Sequence, residues 1–327
     1  MILLTEKDIR SLMSMREAIA AAKEALTLHA AGGCDVPLRT NLDVAQHGGQ
    51  ALFMPAHVPQ IDAVGIKIVS VFPGNAARGL PAVPAKVVLL DATTGDVAAI
   101  LDGTYLTALR TGAVQGAATD TLARADARTG ALIGAGGQAF GQLEAMLAAR
   151  PLTHVRVHDR DGERCAAFVD DARGMASGYG AELSVARTAE DAVEGADVVT
   201  AATTSPVPVF DPSALGPGVH VNGVGAYTPA MQELPARLVV DADLVTIDTA
   251  AALDEAGDLI APIEAGLLEP SRPVPLGEVL GGRAAGRTAD GQTTVFKTVG
   301  SAVLDVVTAH RVLQAAVAAG VGHRIDL

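Results

Sequence analysis

Tryptophan is absent from the 327 residues, and six Phe and three Tyr bring aromatics to only 3%. A chain so poor in rings offers no stacking platform for bases. Cysteine is as scarce: Cys34 and Cys165 are too few and too far apart for a disulfide framework or a zinc knuckle, which suits a reducing compartment. Cations are outnumbered, 24 Lys and Arg against 37 Asp and Glu, a net charge of -13, so phosphate backbones and anionic lipid surfaces are repelled. No stretch approaches ~20 uninterrupted apolar residues, which argues against a membrane span. The N-terminus, Met1 to Asp8, has acids in its first turn and no basic region ahead of an apolar run, so no signal peptide is expected. These absences predict a cytoplasmic protein without nucleic-acid or membrane partners. No Cys-His ligand cluster and no Gly-x-Ser-x-Gly elbow occurs, so no metal and no serine nucleophile is expected. His57, His220 and His310 read as structural, and Asp170-Asp171 and Glu190-Asp191 as solvated helix faces or caps.

What is present is apolar material, 49% of the chain, enough to bury two cores of roughly 100–200 residues each. Ser14-Met15-Arg16-Glu17 has the spacing of a capping box, and the run behind it places Ile19, Ala22, Leu26 and Ala30 on one helical face before Gly32-Gly33 ends it. Strands are expected at 51–54, 63–72, 85–91 and 97–101, then a helix from Asp102-Gly103-Thr104 to about Leu122. From Thr129 the rhythm becomes strand, glycine turn, helix, with strands near 131–133, 155–158, 183–185, 198–200, 220–222 and 293–297. A last helix, 301–319, has the length to pack back on the first part. The fold class predicted is α/β: a doubly wound parallel sheet of Rossmann type, 116–300, inserted into an α+β substrate and dimerisation domain of 1–115 plus 301–327.

Gly134-x-Gly136-x-x-Ala139 falls between a strand and a helix, where glycines allow a tight turn and bring backbone amides to a pyrophosphate. Glycine turns join strands to helices in many folds, so the pattern alone is weak. Asp159, at the end of the next strand and about 20 residues beyond the turn, is placed to accept from a ribose 2′-hydroxyl and favours NAD. Arg160 beside it suits a 2′-phosphate, so NADP stays possible.

Several motifs together resemble the ornithine cyclodeaminase/mu-crystallin family over nearly the whole length: Leu52 to Ala56, Gly65 to Val69, Leu101 to Gly103 and on to Leu109-Arg110-Thr111-Gly112-Ala113, Gly134-Ala135-Gly136-Gly137-Gln138-Ala139, and Val221-Asn222-Gly223-Val224-Gly225-Ala226. The resemblance implies a Rossmann domain inserted into a substrate domain, homodimers, and an activity among cyclodeaminases, alanine dehydrogenases, cyclic ketimine reductases and non-catalytic binders. With it, Arg110, Thr111, Thr203, Val224, Gly225 and Gly300 join the expected cofactor contacts.

The resemblance also assigns Arg39, Lys67 and Arg110 to a substrate carboxylate. Lys67 interrupts an apolar strand, opposite in direction to Ile66 and Ile68, and a buried ammonium there needs an anion; an exposed strand face is the alternative. Arg110 has no acid three or four residues away, which would leave its guanidinium for an external anion. Arg39, in a loop or edge strand, would be solvated on sequence alone. Where the cyclodeaminases carry an aspartate this chain has Tyr227, and Met54 stands where they carry a catalytic glutamate. A phenol of pKa about 10 is not a carboxylate, so Tyr227 is either a hydrogen-bond donor to an imine nitrogen or an aromatic wall. The expected function is NAD(P)H-dependent reduction of a small anionic imino acid, such as Δ1-pyrroline-2-carboxylate to L-proline, or the related alanine dehydrogenase reaction. Ornithine cyclodeaminase and a non-catalytic binding protein are the alternatives.

Overall fold

Thr5 and Ser14 start the first two helices by the same means. Each hydroxyl accepts from the amide three residues on, and Asp8 or Glu17 returns a bond to the cap's own amide, so two orphan donors are met at once. After β1 (Ile2–Leu4) these helices are α1 (Glu6–Leu12) and α2 (Met15–Ala30). Strands β2 (Thr40–Val44), β3 (Gly49–Val58), β4 (Ala63–Val71), β5 (Ala85–Asp91) and β6 (Val97–Asp102) follow, and α3 (Gly103–Leu122) closes the series. Next come β7 (Thr129–Ile133), α4 (Ala139–Ala149), β8 (His154–His158), α5 (Gly162–Gly178), β9 (Glu182–Val185), α6 (Ala189–Val193), β10 (Val198–Ala201) and β11 (His220–Gly223). The chain continues through α7 (Ala236–Asp241), β12 (Leu244–Ile247), α8 (Ala252–Glu255), α9 (Gly257–Glu264), β13 (Val274–Pro275), α10 (Leu276–Leu280) and β14 (Thr294–Lys297), and ends with α11 (Ala302–Ala319) and β15 (His323–Arg324).

The structure is a computed structural model that describes residues 1–326. The chain divides into two compact units, Met1–Arg110 with Ser301–Leu327, and Thr111–Gly300.

In the first unit, seven strands form one mixed sheet in the order β15-β1-β6-β5-β4-β3-β2. Strands β2 to β6 pair antiparallel in sequence, and β1 joins β6 in parallel. Strand β4 alternates strictly: Ala63, Gly65, Lys67 and Val69 are buried while Ile68 is 37% exposed, so a charged residue sits on the inner face and isoleucines on the outer one. The inner face is covered by α11, which packs on α2, β3, β4 and β5. By length and composition α11 would cross a membrane; here Val303, Leu304, Val306, Val307 and Val312 are buried against the sheet and α2, which accounts for its apolar character.

The second unit is an eight-stranded sheet, order β13-β12-β14-β11-β10-β7-β8-β9, in which every pairing is parallel. Its central strands read as continuous apolar runs because both faces are covered. The order reverses beside β7, with β8 and β9 on one side and β10 and β11 on the other, and ligands of such sheets bind outside the strand ends at that reversal. The α+β unit with an inserted doubly wound parallel sheet is the predicted class. The four short helices and two strands between β11 and β14 were not anticipated.

Candidate active site

Lys67 is 2% exposed, and its anion comes from within the chain: Asp305 on α11 lies 2.7 Å from the ammonium. The other Asp305 oxygen accepts from Arg110 Nε at 2.8 Å. Arg110 is therefore not left free as the sequence suggested. Its acid is supplied by a helix remote in sequence, which a search at helical spacing around position 110 does not find. Arg39 immediately precedes edge strand β2, half-buried, and its charge bears on Lys67. Two buried cations thus share one carboxylate, with the Arg39 charge bearing on the first of them, a locally positive site suited to a second, external carboxylate.

The same arrangement tunes Lys67. Burial is the first cause that pushes its pKa down, the Arg110 charge the second, and Asp305 pulls the other way, leaving the ammonium at about 8. Such a group is mostly protonated at neutrality yet gives up its proton readily. Met54 stands directly opposite Lys67 in the β3–β4 register and is 5% exposed, so the cross-strand neighbour on this face is an uncharged thioether.

In the second unit, the β7–α4 turn has the features of a dinucleotide cradle. Gly134 has φ +105°, and a Cβ there would come within 2.8 Å of the Ala202 carbonyl, so only glycine fits. At Gly136 and Gly137 a Cβ would meet nothing within 4 Å: the protein itself does not require glycine there, and the room suits a phosphate drawn close to the backbone. No side chain caps α4, and Gln138 Oε1 at its cap is buried without a hydrogen-bond partner. Ala139 is fully buried. Asp159 closes the far side, accepting from the Ala135 amide at 2.7 Å, and Arg164 Nη2 lies 2.5 Å from its carboxylate. Burial raises the Asp159 pKa, but Arg164 and the Ala135 and Asp161 amides outweigh it and hold the carboxyl below its usual range. Arg160 is exposed. These residues fit a dinucleotide.

Across the reversal, a residue the sequence reading passed over organises the loops after β10 and β11. Glu233 is fully buried and accepts from Thr203 N (2.7 Å), Thr203 Oγ1 (3.1 Å), Gly225 N (2.6 Å) and Ala226 N (3.1 Å). Behind it Lys297 lies 3.5 Å from Glu233 and 2.8 Å from Asp258, whose Oδ1 accepts from the Glu233 and Leu234 amides. Burial pushes the Glu233 carboxyl up, against the pull of Lys297. A Cβ on Gly225 would stand 2.0 Å from the Thr203 carbonyl, so the two loops touch. Val224 is buried and donates to the Ala201 carbonyl; Thr111, next to Arg110 on α3, is half-buried. Gly300, at φ +76°, donates to Asp248 at 2.9 Å.

Tyr227 packs against the apolar cluster of this unit that includes Leu234, Val245 and Leu259, which favours the aromatic-wall reading. His220 is buried between Thr294 and Asn222, and burial pushes its pKa down to about 3. His154 and His158 are four residues apart but on a strand; one bonds Ser184 and the other the Ala186 carbonyl. Among the described residues no group of three His, Cys, Asp or Glu is gathered for a metal.

A family model, that of the ornithine cyclodeaminase/mu-crystallin family, matches residues 1–320. The chain is 39% identical over 328 residues to a Δ1-pyrroline-2-carboxylate reductase of Bacillus cereus, covering 100% of both chains. Among solved structures, it superposes with a TM-score of 0.93 on the Δ1-pyrroline-2-carboxylate reductase of Thermococcus litoralis in complex with NADH and L-proline, at 34% identity over 99% of this chain and 100% of that one. An archaeal alanine dehydrogenase, described as a dimer with bound NAD, matches with a TM-score of 0.90 at 33% identity over 99% and 98%.

Proposed function

This chain belongs to the ornithine cyclodeaminase/mu-crystallin family, and we propose that within it the chain is a reductase of small cyclic imino acids, converting Δ1-pyrroline-2-carboxylate to L-proline at the expense of NADH. The observation that carries this reading is the buried Lys67–Asp305–Arg110 cluster, an uncompensated positive site for a carboxylate beside a lysine tuned to give a proton. The reductases of Bacillus cereus and Thermococcus litoralis support it by whole-length similarity.

When bound, a reduced nicotinamide would supply the hydride for the imine carbon; the proton that completes the amine falls to this chain's own residues. Arg110 and Arg39 hold the substrate carboxylate. Asp305 keeps both neighbouring cations in place and favours the protonated form of Lys67. Lys67 donates the proton to the ring nitrogen and, with its pKa near 8, is regained from solvent at neutral pH. Gly134, Gly136, Gly137, Gln138 and Ala139 hold the pyrophosphate at the start of α4, and Asp159 with Arg160 borders the adenosine ribose. Thr203, Val224, Gly225, Gly300 and Thr111 line the remainder of the dinucleotide site, and Tyr227 walls it.

Cyclodeamination asks for carboxylates that Met54 and Tyr227 do not provide. Alanine dehydrogenation is the second reading, favoured by the archaeal neighbour, because pyruvate and ammonia condense, with loss of water, to an imine that carries the same carboxylate next to a C=N bond.

We propose a homodimer as the working form, in a reducing compartment that suits the free thiols of Cys34 and Cys165. Pro55, Ile66, Val88 and Ile100 align across β3, β4, β5 and β6 on the outer face of the first unit's sheet, an apolar row only partly buried, as expected of a surface covered by a second copy.

The test is NADH consumption by the purified protein with fresh Δ1-pyrroline-2-carboxylate, with pyruvate plus ammonia and L-ornithine in parallel. Rapid loss of NADH with the cyclic imine is expected. Release of ammonia from ornithine without NADH loss would replace this reading by the lyase.

A further inference from the structure

A carboxylate offers about four in-plane acceptor positions, and at Asp159 all are taken. Oδ1 accepts from the Asp161 amide at 2.9 Å and from Arg164 Nη2 at 2.5 Å; Oδ2 accepts from the Ala135 amide at 2.7 Å and from Arg164 Nε at 3.4 Å. The two amides belong to the β8–α5 turn and the glycine loop and are fixed by the fold. The two guanidinium bonds come from a side chain that is 47% exposed, against 6% for Asp159. A ribose hydroxyl can therefore donate to Asp159 only where Arg164 withdraws. Arg164 sits in the first turn of α5, with the Asp161 carboxylate 3.7 Å from its Nη1 as an alternative partner, so withdrawal does not strand its charge.

We propose that Arg164 is a specificity-determining residue that reads the 2′ position of the cofactor's adenosine ribose. Without dinucleotide it fills the seat of the ribose hydroxyls. With NAD(H) it is displaced toward Asp161, at a cost in affinity. With NADP(H) it turns from Asp159 to the 2′-phosphate, next to the exposed Arg160, and offsets the repulsion between that phosphate and Asp159. The consequence is a chain that binds both dinucleotides. This rests on the reading of the β7–α4 turn as a dinucleotide cradle.

The experiment is calorimetric binding of ADP-ribose and of 2′-phospho-ADP-ribose to the full-length protein, which needs no substrate and no turnover. Arg164→Met is expected to tighten ADP-ribose several-fold, by freeing the Asp159 acceptors, and to weaken 2′-phospho-ADP-ribose about tenfold, the worth of one charge-assisted bond. Asp159→Asn is expected to do the reverse, weakening the first and tightening the second. Equal weakening of both ligands by Arg164→Met would mark a merely structural ion pair and overturn the proposal, as would no change in either. Failure of the unaltered protein to bind ADP-ribose or its 2′-phosphate would overturn the cradle reading as well. Normal ADP-ribose binding with an indifferent Arg164→Met would overturn only the role of Arg164.

Discussion

The Asp305 carboxylate lies 2.7 Å from the Lys67 ammonium, both side chains fully enclosed, and it is the one contribution that opposes burial and the Arg110 and Arg39 charges in setting the lysine's proton affinity. A protonated Lys67 is required by the proposed proton donation, so kcat/KM for the imine is expected to fall as pH rises through about 8. Asp305→Asn removes the stabilising anion, which lowers the Lys67 pKa further and moves that alkaline limb to lower pH. Parallel pH–rate profiles of the two proteins would exclude Asp305 from this role.

Lys67→Met tests the cation without disturbing the volume it fills. The methionine removes the proton donor and one positive charge from beside the substrate, so kcat/KM is expected to drop by about 100-fold or more. Stability is expected to fall as well, because Asp305 Oδ2 loses its ion partner in a fully buried site while only Oδ1 keeps its bond to Arg110, and an uncompensated buried charge is costly. Thermal unfolding alongside steady-state rates separates these effects; retained activity would remove Lys67 from the site.

How much of this was legible follows from the range of the interactions. The capping boxes at the start of the chain are local, so Ser14-x-x-Glu17 announces α2 without reference to the rest. The glycine turn before α4 and Asp159 after β8 lie within one βαβ unit and read as a pair. Lys67 betrays itself because its strand partners Val69 and Ala63 are apolar. Asp305 does not, since it stands near the start of α11 as a lone acid among Val303, Leu304, Val306 and Val307 and its partners at 67 and 110 are set only by the fold. Arg164 and Glu233 were missed for the same reason: each looks like an ordinary charged residue until the Asp159 turn, or the loops at Thr203 and Gly225, are brought to it. The helices α7 to α10, of four to eight residues, are too short for a 3.6-residue period to register.

Glu233 is predicted to govern cofactor affinity through the two loops it ties. In Glu233→Gln one accepting oxygen becomes an NH2 group facing either the Thr203 donors or the Gly225 and Ala226 amides, and buried donors are left unsatisfied at about 1–3 kcal/mol each. The KM for NADH is expected to rise about tenfold or more, with a smaller change in the KM for the imine. Equal effects on both constants would indicate a general loss of structure instead.

The last prediction concerns acid stability and has a definite sign. His220 titrates near 3 in the folded chain and near 6.5 when unfolded, because burial against Thr294 and Asn222 keeps it neutral. Between those values the unfolded state binds the extra proton, so stability contributed by the neutral ring is complete above pH about 6.5 and is lost as pH falls, by about 1.4 kcal/mol per unit. His220→Gln keeps a polar group for its two neighbours but does not titrate. The variant is expected to be less stable near neutrality, while its urea midpoint declines less steeply than that of the unaltered protein between pH 6 and 4. Parallel declines would mean that His220 is not the group that takes up the proton, and that acid sensitivity resides in the paired carboxylates.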